Sequence, residues 1–131
     1  MTNLSAQKLY QSVDNESQIL HSSPQQIIHI LLKTVISRIK QAKLFIQKQE
    51  IVKKGESFNK AIDLLQTIIY ADIDFAALQR EDAAYTSLYH TVIKQLMYAH
   101  LHNDVSILET VIDEMSTHLI LRQSQEEIQC G

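Results

Sequence analysis

Six histidines, at positions 21, 29, 90, 100, 102 and 118, are the first residues of this 131-residue chain that could do chemistry. A di-metal site in a helical protein draws a Glu-x-x-His pair from each of two helices, so that the ligands project together one turn apart. Here Glu114 and His118 are four apart and no second pair repeats them, while His100 and His102, two apart, leave a helix on different faces. His21 and His29 are too distant to help, so no metal-ligand set is expected. Acyl transfer fares no better, because a nucleophile needs an oriented base beside it and the serines are scattered over caps and turns. The two glycines stand alone at 55 and 131, which leaves no glycine-rich loop to cradle a phosphate. Cys130 is the single cysteine, one residue from the end of the sequence, with no partner for a disulfide or a metal and no ordered electropositive pocket to activate it. No catalytic residue, metal ligand or cofactor-binding residue is expected.

Charge narrows the partners further. Positions 33, 38, 40, 43, 48, 53, 54 and 60 are basic against Glu50 and Glu56, whereas residues 61–131 hold three basic and eleven acidic side chains within a net charge of −3. A nucleic-acid surface would interleave aromatic platforms with its lysines, and a following acidic half would repel phosphate. The asymmetry fits solvated faces of antiparallel helices whose opposite charges steer pairing. No nucleic acid is expected as a partner. The opening "MTNLSAQKLYQSVDN" has neither the basic start nor the apolar run of a secretory signal. No segment approaches the roughly 20 apolar residues of a membrane span, so a cytoplasmic protein without membrane insertion is expected.

The elements that position these side chains follow from composition and period. With 45% hydrophobic residues, two glycines and one proline, the chain lacks the turn residues that strands demand, and an all-α fold is expected. Residues 1–131 form one domain by length. Residues 1–21 read as an N-terminal arm or a short extra helix. Ser23 as N-cap, Pro24 as first helical residue and Gln26 completing a capping box then open a helix over 24–47. Apolar periodicity places further helices over 50–71, 76–101 and 105–125. Asp72 and Asp74 mark the second break, "HND" the third, and Asp104 caps the last helix. Gly55 in the second helix would allow close approach of a neighbour. Four such helices on short connections make an antiparallel up-down four-helix bundle.

The stretch "SSPQQIIHILL" then poses a problem. Ile28, Leu31 and Leu32 share one stripe, yet Ile27 and Ile30 fall well outside it, more than the roughly 100° that a bundle core requires. Either the core is wide, or the surplus forms a groove for an added helix.

"LYQSV", Leu9 to Val13, precedes "SSPQQIIHILL"; "IKQAK" with Ala42, "VKKGESFNKAIDLLQTI", "ADIDF" and "SLYHTVIKQLMYAHLHND" follow, over about residues 8–120. In their order these features resemble the FliS family of flagellar export chaperones. The chain departs at Leu32-Lys33-Thr34, where the family shows Leu-Tyr-Asp-Gly, at Thr91, often a Tyr, and in lacking a Trp. The resemblance implies a non-enzymatic chaperone that binds the disordered C-terminal segment of flagellin, prevents premature polymerisation and supports delivery to the export apparatus. It also raises a component of the export gate and flagellar regulators as further partners. Under it, Ile28, Leu31, Leu32 and Val35, with Ala61 and Leu65, and Leu88, Tyr89, Val92 and Leu96, line cargo sites or the core immediately beneath them. Tyr10 would lie on an arm that covers a cargo site in the empty chaperone and moves aside on loading. A generic helix-binding adaptor or a self-associating bundle with a different partner stays open beside this reading.

Overall fold

The computed structural model describes residues 23–130, with side chains as far as Gln125. Tyr10 and the arm over 1–21 lie outside the described residues. Four helices make up the rest: α1 (Pro24–Gln47), α2 (Ile51–Leu78), α3 (Thr86–His102) and α4 (Val105–Cys130). No strand occurs among the described residues. Each helix packs on its neighbours in a ring, α1 on α2 and α4, α3 on α2 and α4, and consecutive helices run antiparallel.

α1 starts where its residue types dictate. The Ser23 hydroxyl accepts from the Gln26 amide at 3.2 Å and the Gln26 side chain accepts from the Ser23 amide at 2.8 Å, so two otherwise orphaned donors are satisfied reciprocally. Asp104 does the same for α4 with one carboxylate oxygen, which accepts from the Ile107 amide at 3.2 Å and the Ser106 hydroxyl at 2.7 Å. Those bonds, the Ser106 hydroxyl first, hold the exposed Asp104 carboxyl below its usual range.

The helix ends share one device. The Glu50 amide reaches back to Phe45 O at 2.9 Å and Gln49 N to Ile46 O at 3.1 Å; Glu81 N reaches Ala76 O at 2.9 Å and Arg80 N reaches Ala77 O at 3.2 Å. These are Schellman closures, and they put Gln49 (φ 59°) and Arg80 (φ 57°) in the left-handed region that glycine favours. Asn103 (φ 52°) turns the chain likewise after α3.

The expected break over Asp72 and Asp74 does not occur. α2 runs on to Leu78, and the expected helix from 76 begins only at Thr86, after residues 79–85. Asp72 is buried and its carboxylate is held by Arg122 of α4, so it does not cap or turn its own backbone. Phe75, one turn on, packs against the core and carries the helix forward. α4 likewise continues past 125 to Cys130.

One contiguous core fills the ring. Ile27 and Ile28 are both fully buried and Ile30 packs against the core from its edge. The surplus on α1 is therefore absorbed by a wide contact arc, because α1 leans on two neighbours at once. Gly55 has no close neighbour: a Cβ there would meet nothing within 4 Å, so it answers no packing demand.

Candidate functional site

The bundle's core is not apolar throughout. At the end where α2 finishes and α3 begins, Arg122 lies buried with Asp72 in a two-pronged ion pair, Nη1 to Oδ2 at 2.8 Å and Nη2 to Oδ1 at 2.7 Å. Such parallel donor pairs match the planar guanidinium to the carboxylate and are among the strongest polar contacts. Nη1 also donates to the Tyr89 hydroxyl at 2.7 Å, and Nη2 to Gln25 Oε1 at 3.2 Å. The Arg122 guanidinium sits 4.9 Å from the centre of the Tyr85 ring, and the Tyr85 hydroxyl donates to the Gln125 side-chain oxygen. One guanidinium thus ties all four helices.

The protons in this knot can be placed by elimination. Arginine only donates, so Tyr89 accepts from it and keeps its own proton for His118 Nε2, 2.6 Å away. His118 Nε2 is then an acceptor, which requires a neutral ring. Burial, reinforced by the positive Arg122 and opposed by Asp72, lowers the His118 pKa to about 4. Burial likewise raises the Tyr89 hydroxyl well above its ordinary value, against the pull of Arg122. A recess of about 200 Å³ opens beside the knot, under residues 79–85, with Glu81 and Asp82 on its rim. Every polar group of the knot that is described above already has a partner, and its geometry holds helices together. Among the described residues no three His, Cys, Asp or Glu side chains converge on a metal-sized site.

The outer surface is more suggestive. Among the described residues, the exposed large apolar side chains are Ile51, Val52, Tyr70, Ile73 and Leu78 on α2, Met97, Tyr98 and Leu101 on α3, Leu44 on α1, and Ile120 and Leu121 on α4. Eight of these eleven belong to the α2–α3 pair. Leu101 stands one turn beyond Met97 and Tyr98 on α3 and keeps 77% of its surface in solvent. Opposite them at the start of α2, Lys54 Nζ donates to His100 O at 3.3 Å and Asn103 Oδ1 at 2.7 Å, which draws Ile51 and Val52 toward the end of α3. Exposed apolar side chains gathered on one pair of helices are the kind of feature that an interaction surface shows.

The α1–α4 pair differs. Two shallow recesses share Lys40 and form a groove between these helices, with Lys33, Lys40 and Lys43 along α1 and Glu109 and Asp113 along α4. Ile36, Ile112 and Leu119 line its bottom, and Lys43 Nζ to Glu109 Oε1, 3.1 Å, spans it near one end.

The residues expected at a cargo site fall inside. Ile28, Leu31, Leu32, Val35, Ala61, Leu65, Tyr89, Val92 and Leu96 are buried in the core, and Leu88 alone of those described is partly exposed beside it. Met97, one residue on from the buried Leu96, points to solvent. The exposed side chains of α2 and α3, and the knot, were not anticipated. A signal for the knot existed: Asp72 continues the buried series Ala61, Leu65, Ile68, and Arg122 the series Val111, Met115, His118, each at three- or four-residue steps.

The sequence was compared with known proteins. The family model described as Flagellar protein FliS matches residues 6–120. A relative from Salmonella typhimurium, named Flagellar secretion chaperone FliS, is 32% identical over 79% of this chain and 77% of its own length. One of the same name from Escherichia coli is 30% identical over 78% and 75%, and Flagellar secretion chaperone FliSB from Pseudomonas aeruginosa is 29% identical over 82% and 85%.

Proposed function

The chain belongs to the FliS family, and from that premise we propose that it is a flagellar secretion chaperone that holds the C-terminal segment of flagellin. Occupying that segment keeps flagellin from polymerising in the cytoplasm and supports its delivery to the export apparatus. The work is binding, and no bond is made or broken.

The observation that carries this reading is the gathering of exposed apolar side chains on α2 and α3. A disordered cargo segment that folds as it binds spends about 2 to 5 kcal/mol of the gross interaction energy on ordering. Only a broad apolar surface offsets that cost, and an amphipathic segment laid along α2 and α3 meets Val52, Tyr70, Ile73, Met97, Tyr98 and Leu101 without any change in the core. The buried Ala61, Leu65, Val92 and Leu96 support that surface from beneath, and Ile28, Leu31, Leu32 and Val35 brace α2 from α1. Tyr10 belongs to the proposal only as part of the arm, which would compete with cargo for the same surface.

Calorimetry with intact flagellin monomer and with flagellin lacking its C-terminal segment tests the reading. Intact flagellin should bind with a large negative heat-capacity change, the truncated form should not bind, and Met97→Asp with Leu101→Asp should weaken binding by about a hundredfold. Equal binding of both flagellins, or none by the intact one, would sink it.

A further inference from the structure

We propose that the groove between α1 and α4 is a second docking site, built for an amphipathic helix of another protein that carries carboxylates along the edge facing α1. The inference stands apart from flagellin binding, since α1–α4 and α2–α3 are opposite sides of the ring and can be occupied together.

Three observations define the occupant. Its length follows from the groove, which runs from Lys33 to Gln47 along α1. That is about 21 Å at 1.5 Å per residue, or about four helical turns. An apolar edge is required by the floor, where Ile112 and Leu119 are half-shielded over the buried Ile36 and a helix side chain would close them off. The charge pattern decides the rest. Lys33 and Lys40 are exposed on the same lip of the groove, seven residues apart, and form no ion pair among the described residues. Two turns of the docked helix cover that separation, so carboxylates seven apart meet both lysines.

The opposite lip excludes other anions. Asp113 is exposed there without an ion pair among the described residues, and Glu109 is already engaged by Lys43. A nucleic-acid backbone or an anionic membrane would bring phosphate against both, whereas a helix can present acidic residues to α1 and a basic one to Asp113.

The test uses two synthetic 18-residue amphipathic helices with the same leucine stripe, one edged with glutamates seven apart and the other with lysines at those positions. Binding to the full chain is read by fluorescence anisotropy at low and moderate salt. The glutamate-edged peptide should bind at least tenfold tighter than the lysine-edged one. Lys33→Glu with Lys40→Glu should reverse that preference, and Leu101→Asp on the far face should leave it alone. All three positions are exposed, and circular dichroism is to check that the variants fold. Equal affinity for the two peptides, indifference to the lysine changes, or loss of binding in Leu101→Asp would overturn the proposal. So would sedimentation showing that a second copy of the chain fills the groove and excludes the peptide. Intact flagellin binding measured on the same variants separates a failure here from a failure of the chaperone reading.

Discussion

The two ends of the bundle are closed by different physics. Where α1 ends and α4 begins, the core is largely dry: Phe58 is buried against the His100 ring, 4.6 Å between centres, and Ala42, Ala99 and Leu108 are buried as well. At the other end a guanidinium, a carboxylate, a phenol and an imidazole share the interior with Gln25 reaching in. Apolar contact is tolerant of small slips, because a leucine can meet a neighbouring isoleucine almost as well. A two-pronged ion pair inside the core is not, since any slip strands a buried charge. The dry end contributes cohesion; the knot specifies which residues of the four helices stand level. That register decides where α2 and α3 place their exposed side chains.

The sharpest way to break this contrast is to remove one charge. Arg122→Ala should cost about 3 to 5 kcal/mol by leaving Asp72 buried and unpaired, close to the 3 to 5 kcal/mol expected of Phe58→Ala by cavity formation at the dry end. Urea denaturation measures both. The two ends should part company on rescue: Asp72→Leu with Arg122→Met should recover most of the loss at the knot, because both charges leave together. A double variant no more stable than Arg122→Ala would mean that the knot is not an ion-pair device.

Acid should act next, and most strongly at the knot, since burial and Lys54 also lower the His100 pKa at the dry end. His118 is neutral in the folded chain, with a pKa lowered to about 4 from the ordinary 6.5. Between those values the unfolded chain binds the extra proton, so stability is complete above pH 6.5, falls as pH drops and levels off below about 4. The linked loss is at most about 3 kcal/mol. Denaturation midpoints taken from pH 7 to pH 4 should show that slope, and His118→Gln, which keeps an acceptor for Tyr89, should flatten it. An unchanged slope in the variant would remove His118 from the account.

The smallest effects lie on the backbone near the two ends of α2, Gly55 inside it and Arg80 just past it. Gly55→Ala at the dry end should stabilise by up to about 1 kcal/mol, since nothing obstructs the new Cβ and glycine is a poor helix former. Arg80→Gly near the knot should gain a similar, roughly 1 kcal/mol amount by relieving a left-handed residue. Thermal midpoints resolve both, and a loss in either would show side-chain contacts that outweigh the backbone term.

How far the fold could be read from residues alone varies along the chain for identifiable reasons. α1 was legible to its first and last residue, because Ser23, Pro24 and Gln26 announce its start and the apolar steps continue unbroken. The α2–α3 boundary was not, because Asp72 and Asp74 have the residue type of breakers while the real ending rests on Arg80, which gives no glycine signal. Asp72 resists local reading altogether: its role depends on Arg122, fifty positions away. Interaction surface was the hardest part. Periodicity marks Met97 and Val92 as apolar residues of one helix, and only the position of α3 in the ring decides that Val92 is buried and Met97 is not.

The knot also gives the molecule an optical reporter. The sequence has no tryptophan, so near-ultraviolet absorption falls to its five tyrosines, and two of them, Tyr85 and Tyr89, touch Arg122. Tyr89 holds its proton far into the alkaline range for as long as it stays enclosed. Its phenolate band at high pH therefore appears only when that end of the bundle opens, and it reports the opening with no label attached.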